Sequence, residues 1–224
     1  MQFLELSLPV HDVPGSLAWY LALGFAEHET RDIRAYHYAV VGDGHFCIGL
    51  HGGEVATASL SFVRPDVARY VRQRTAEGDQ FEFAKLGEDQ FNEAALADPD
   101  GTLFSIIEAR TFSSAGIEPE TEPCAGKVEK LALPCLRLEE SIEFWQRNEF
   151  IVVESETEGM AELHAPGLTV ELREGTRQVE LIFEPENMQD CMQAVATIDL
   201  TVRATPDGHE LVAPEGTRLL IRER

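Results

Sequence analysis

The chain has 224 residues, 44% of them apolar, enough for a core-burying globular protein of one large or two small domains. Its formal charge of −22 repels phosphate backbones and anionic lipid, so nucleic acid and membrane surfaces are poor partners. No apolar run approaches the ~18 residues of a membrane span, MQFLELSLPV has no signal-peptide pattern, and four cysteines without a C-x-x-C pair indicate neither a zinc knuckle nor a redox dithiol. A cytoplasmic protein is expected.

The first element, LELSLPV, alternates Leu4, Leu6 and Leu8 with Glu5 and Ser7. A strand with that period turns its leucines to a core and Glu5 to the opposite face. DVPGSLAWYLALGF follows as a helix carrying the aromatic pair Trp19-Tyr20. Two strand-like runs come next, RAYHYAVVG and HFCIGLHGG; then TASLSFVRPDVARYVRQRTAEG restarts with a strand and an amphipathic helix. DPDGTLFSIIEAR closes the half with a tight turn and a strand in which Ser105 stands between Phe104 and Ile106. TFSSAGIEPETEPCAGK, residues 111–127, has no hydrophobic period and reads as a linker.

Beyond it the pattern returns. EKLALPCLRLEESIEFWQRNEF superimposes on LELSLPVHDVPGSLAWYLALGF at one constant spacing, which pairs Pro9 with Pro134, Ser16 with Ser141, Trp19-Tyr20 with Phe144-Trp145 and Phe25 with Phe150. VELIFEPENMQDCMQAV restarts the second half as TASLSF restarts the first, and APEGTRLLIRER is a weaker copy of the ending DPDGTLFSIIEAR. The chain is therefore four strand–helix–strand–strand–strand units, with domains expected at residues 1–110 and 128–224.

These stretches, above all LELSLPVHDVPGSLAWYLALGF and DPDGTLFSIIEAR, resemble the vicinal oxygen chelate superfamily, the glyoxalase, bleomycin-resistance and extradiol-dioxygenase group. The resemblance implies an α+β protein: four βαβββ units forming two half-open mixed-sheet domains with helices on the convex faces. It also implies a concave groove that holds a ligand and, often, a divalent metal.

The family's metal ligands sit at four inward positions, which in the first half fall on Glu5, Gly49, Ser59 and Ser105. A transition-metal site needs about three or four His, Cys or carboxylate ligands, and only Glu5 qualifies. No bound metal and no other cofactor are therefore expected, although a divalent site held by Glu5, Cys47 and His51 can be drawn. The expected ligand-binding residues are Glu5, Ser7, His37, Cys47, Gly49, His51, Ser59, Ser61 and Ser105, with His37 placed inward because it shares parity with Ala35 and Ala39. Glu5 is also a candidate general base, since burial in such a groove would raise its pKa. In the second half the matching positions are Lys130, Glu171, Glu180 and Leu220. Lys130 stands where relatives hold a metal and is expected to pair with Glu171 and Glu180 as a structural ion network.

Trp19-Tyr20 and Phe144-Trp145 are read as core, and Asp98, Asp100, Glu139 and Glu140 as turn and cap residues. No nucleophile elbow, phosphate loop or H-E-x-x-H motif is present. The leading expectation is a metal-free binding protein for a small organic molecule. The alternatives are a lyase, isomerase or dioxygenase of the superfamily, and an interaction scaffold with vestigial grooves. Two halves in one chain suit a monomer with an internal pseudo-dimer, or a homodimer.

Overall fold

A computed structural model describes residues 1–29, 35–53, 55–87, 91–109, 123–155, 157–198 and 200–223. The first half runs β1 (Gln2–Pro9), α1 (Val13–Ala22), β2 (Ala26–His28), β3 (Tyr38–Gly42), β4 (Cys47–His51), β5 (Ser59–Arg64), α2 (Val67–Ala76), β6 (Phe83–Lys85), β7 (Glu93–Ala97) and β8 (Leu103–Glu108). The second runs β9 (Lys130–Leu133), α3 (Leu138–Arg147), β10 (Ile151–Glu154), β11 (Met160–Ala165), β12 (Leu168–Arg173), β13 (Glu180–Phe183), α4 (Met188–Val195), β14 (Arg203–Thr205), β15 (Gly208–Val212) and β16 (Arg218–Ile221). Most of the expected linker lies outside the described residues.

Each half forms one eight-stranded sheet, in the orders β2-β3-β4-β1-β5-β8-β7-β6 and β10-β11-β12-β9-β13-β16-β15-β14. The orders are equivalent strand for strand, as the sequence repeat requires. Both sheets are mixed: β1 runs parallel to β4 and antiparallel to β5, and β5 runs parallel to β8. The protein is thus an α+β fold of four βαβββ units, with two half-open sheets carrying their helices on the core side. No described helix is long and apolar enough to cross a membrane.

Local chemistry sets the element ends. Asp12 caps α1 by accepting from the Gly15 amide at 3.1 Å, and Pro14 occupies the first turn, where its missing N–H costs nothing. Asn187 caps α4 through the amides of Gln189 and Asp190. After α1 the chain turns through Gly24 at φ 96°, the left-handed region; after α3 the equivalent residue is Glu149, which adopts φ 71° despite its side chain.

The apolar sides of both sheets join in one continuous core. Phe62 and Phe104 of the first half meet Phe150 and Trp145 of the second, the nearest ring centroids 5.6 Å apart. Polar clasps frame this core with approximate two-fold logic. Ser16 and Tyr20 on α1 donate to Glu215 in the β15–β16 turn, both at 2.7 Å, while Ser141 on α3 donates to Asp100 in the β7–β8 turn at 3.3 Å. Trp145 is the repeat equivalent of Tyr20, but its buried indole N–H has no hydrogen-bond partner among the described residues.

One detail departs from the expected parity. The register shifts between Phe3 and Glu5, so Phe3 and not Leu4 joins Leu6 and Leu8 in the core. This β-bulge leaves Glu5 and Ser7 on the concave side.

Candidate functional site

On the concave face of the first sheet, Ser7 pairs across strands with Ser59 and Gly49, and Glu5 and Ser105 both pair with Ser61. Four strands, β1, β4, β5 and β8, therefore bring these residues together. Glu5 lies at the centre, 7% exposed. Its Oε1 accepts from Ser7 Oγ at 2.8 Å and from His51 Nε2 at 3.2 Å, and its Oε2 accepts from the Tyr38 hydroxyl at 2.9 Å. Because a carboxylate can only accept, Nε2 of His51 carries the proton; Nδ1 then faces the Tyr36 hydroxyl at 3.1 Å. Beyond Glu5 the floor consists of hydroxyls, with Ser7 3.3 Å from Ser61 and Ser59 2.6 Å from Ser105.

Gly49 explains how the cluster fits. A Cβ there would lie 2.6 Å from Glu5 Oε1 and 2.8 Å from His51 Nε2, so the Glu5–His51 contact occupies the space a side chain would fill. Its backbone lies outside the left-handed region, so close approach, not conformational freedom, demands the glycine.

The electrostatics reverse the sequence expectation for Glu5. Burial is the largest influence and raises its pKa, yet the hydrogen bond and charge of His51, with the hydrogen bonds from Ser7 and Tyr38, outweigh it and hold the carboxyl below its ordinary value. The raised pKa expected for Glu5 is therefore corrected: three donors favour its charged form. Cys47 is inert at neutral pH: burial first, then the charges of Glu5 and Asp43, push its thiol up to about 11.

His37 needs a second correction. It precedes β3 and is exposed, while Ala39 and Val41 face the core; Tyr36 and Tyr38 are the residues that reach the groove. The two consecutive valines of AYHYAVVG hide the parity. His28, also unanticipated, lies inward over Gly42: a Cβ at Gly42 would be 2.6 Å from its Nε2.

The ion network of the second half is also rearranged. Lys130 is inward but pairs with Glu162 at 2.8 Å and lies 3.9 Å from Glu184, not with Glu171 or Glu180. Arginines serve those two. Arg222 holds Glu171 at 3.2 and 2.8 Å and also reaches Glu184; Arg218 and Arg173 hold Glu180 at 2.6 and 2.9 Å. Arg218 further pairs with Glu210. The parity that turns Leu220 inward turns Arg218 and Arg222 the same way, so the signal was present in TRLLIRER.

Similarity to solved structures places this geometry in a known fold. The chain aligns with a catechol 2,3-dioxygenase at 14% identity and a TM-score of 0.64, covering 99% of this chain and 88% of that one. It aligns with the Mn(II)-bound glyoxalase from Novosphingobium aromaticivorans at 14% identity and a TM-score of 0.67, covering 97% and 81%. Homoprotocatechuate 2,3-dioxygenase from Brevibacterium fuscum, in complex with 3,4-dihydroxyphenylacetate, matches at 13% identity and a TM-score of 0.69 over 98% and 79%. The chain has the vicinal oxygen chelate fold. No protein-family model matches the sequence, and no curated protein matches it.

Neighbours of this fold include a Mn(II)-bound protein, so the donor set has to be compared with what a divalent ion needs. Among the described residues no group of three or more His, Cys, Asp or Glu side chains converges. At the four family positions the first half offers one carboxylate, two serines and a glycine. The nearest additional donor, His51 Nε2, spends its proton on Glu5 itself. In the second half, the carboxylates at the family positions are neutralised by guanidinium groups. Neither donor set fits a resident divalent metal.

Proposed function

We propose that this protein binds a small organic molecule in the concave groove of its first half and does so without a resident divalent metal. The observation that carries the reading is the Glu5–His51 contact above Gly49. It satisfies the one acidic family position with neutral and imidazole donors and leaves a floor of small hydroxyl side chains. Tyr36, Tyr38 and Cys47 are only partly buried and form the accessible rim. On this reading residues 1–110 and 128–224 are two domains of one type, of which the first binds.

The experiment is a paired measurement on the purified protein: metal content, and denaturing extraction of any small molecule carried through purification. The expected result is substoichiometric metal and no saturable rise in melting temperature at micromolar Mn²⁺, Ni²⁺ or Zn²⁺. A ligand at one hundred times its dissociation constant stabilises by ~2.7 kcal/mol, so true binding is easily seen. Stoichiometric metal, or a saturable metal shift lost in Glu5→Gln, overturns the proposal.

A second reading rests on the Tyr36–His51–Glu5 chain, a phenol, an imidazole and a carboxylate in series. Glu5 fixes the proton on Nε2, which leaves Nδ1 as the acceptor for a proton delivered through Tyr36. On this reading the protein is a metal-free lyase or isomerase. A ligand recovered unchanged, and without solvent deuterium after incubation in heavy water, removes it.

A further inference from the structure

A second concavity lies away from the groove. It is a cleft of about 560 Å³ between the turn that opens the second half and helix α4, and both Cys124 and Cys191 line it. Both thiols are free, Cys124 partly exposed and Cys191 buried. They line the same cleft, and after burial the charge on Cys124 is the further cause that raises the Cys191 thiol. The turn bearing Cys124 is fastened to the first half: the Cys124 amide donates to Leu23 O at 2.9 Å, and Pro123 packs over Gly24 at the end of α1. Cys191 sits within α4 of the second half, its amide bonded to Asn187 O. A bond between the two sulfurs would therefore join the end of α1 to α4.

We propose that Cys124 and Cys191 form an oxidant-responsive dithiol, with a hydroperoxide as the oxidising substrate and a disulfide tie between the two halves as the product. The partly exposed Cys124 thiolate attacks the peroxide: the S–O bond forms, the O–O bond breaks, and the departing hydroxide takes a proton to give water and a sulfenic acid. Cys191 then attacks the Cys124 sulfur; the S–S bond forms, the S–O bond breaks, and a second water leaves. Two thiols and one hydrogen peroxide become one disulfide and two waters.

The surroundings make this a slow, graded response. Burial is the leading cause that raises both thiols above their ordinary values. Among the described residues the cleft's carboxylates, Glu129, Glu184, Glu186 and Asp190, outnumber its cations, of which Lys127 is the one in the lining. The thiolate fraction is small near neutrality, so the rate rises with pH. Cys135 and Cys47, raised to about 11 and placed elsewhere, serve as internal controls.

The test treats the full chain with hydrogen peroxide and maps peptides without reduction. The expected result is a Cys124–Cys191 cross-linked peptide, an intact mass lower by two hydrogens, and a higher urea midpoint that reverts on reduction. With Cys191→Ser, Cys124 should instead accumulate as a sulfenic acid trapped by dimedone, while the reduced variant keeps the wild-type midpoint. Wild-type protein that traps dimedone at Cys124 as fully as Cys191→Ser does, with no linked peptide, overturns the proposal, as does a linked peptide confined to cysteines of two different molecules.

Discussion

The substitution Gly49→Ala tests the centre of the groove most directly. An alanine in place of a strand glycine normally stabilises, by ~0.5–1 kcal/mol through reduced chain entropy, and nothing in the Gly49 backbone opposes it. The new Cβ, however, would stand 2.6 Å from Glu5 Oε1, 2.8 Å from Glu5 Cδ and 2.8 Å from His51 Nε2. These atoms belong to side chains 7% and 3% exposed, so they have little free room to yield. Parting them breaks the 3.2 Å hydrogen bond. A hydrogen bond to a charged group is worth ~1.5–3 kcal/mol, and a stranded buried group costs a further ~1–3. Less the entropic gain, the net expectation is a loss of about 2–5 kcal/mol, a fall of about 1–2 M in the urea midpoint at an ordinary slope. The aromatic cluster shared by both halves provides a tryptophan signal for the unfolding. The double variant Gly49→Ala, Glu5→Gln should lose less than the sum of the singles, because both remove the same contact. A midpoint for Gly49→Ala at or above wild type would show that Glu5 and His51 do not meet there.

Further outcomes follow from the same structure. Arg222→Met strands Glu171, which is 3% exposed, and should cost ~3–5 kcal/mol in urea denaturation, whereas Lys130→Met removes a pair whose side chains are 25% and 29% exposed and should cost under ~1 kcal/mol. Asp98, 5% exposed, is pushed from 3.8 to about 6, first by burial and then by Asp100; the unfolded state ionises first as pH rises, so stability should increase by about 3 kcal/mol as pH falls from about 6 to about 4, at ~1.4 kcal/mol per unit of pKa, read as the difference between wild type and Asp98→Asn. Glu5 acts with the opposite sign, its contribution being present above pH 4.5 and lost as pH falls through its depressed folded value. Tyr20→Phe removes the 2.7 Å bond to Glu215 between the halves and should cost ~2 kcal/mol, with faster amide exchange in the Ala213–Gly216 turn.

Much of the architecture was legible because it was written twice. The constant spacing that aligned Ser16 with Ser141 and Tyr20 with Trp145 also aligned the clasps those residues make, Ser16 to Glu215 and Ser141 to Asp100. Period-two alternation placed Glu5, Ser7, Ser61 and Ser105 on one face. It failed at β3, where Val40 and Val41 are both apolar and both buried, and only the three-dimensional register shows that Val40 pairs with Gly49 in the groove. Parity also gives the face of a residue and not its partner. Lys130 is long enough to pass over Ala132 and Glu171 and settle on Glu162, one strand further along. The Glu5 shift was misjudged for a related reason: burial is visible in one strand, but besides Ser7 the donors that overcome it, His51 and Tyr38, arrive from β4 and β3.

The two grooves answer one physical problem in opposite ways, and this decides which of them can exchange partners. Both retain buried carboxylates at positions where the fold admits a cation, and a buried carboxylate without compensation is costly. In the first half the compensation consists of two hydroxyls and an imidazole around Glu5, each on a small or hinged side chain. A ligand hydroxyl or amide can replace one such bond at a net cost of ~1 kcal/mol, which its own contacts readily offset. In the second half the compensation is a set of guanidinium groups, bidentate at Glu171 and doubled at Glu180. Opening one of those pairs strands a charge and costs ~3–5 kcal/mol before any ligand contact is made. A molecule offered both grooves should therefore enter the first, and Arg222→Met, which removes the partner of Glu171 in the second, should leave that affinity unchanged; a matching loss of affinity would place the bound molecule against Glu171 instead.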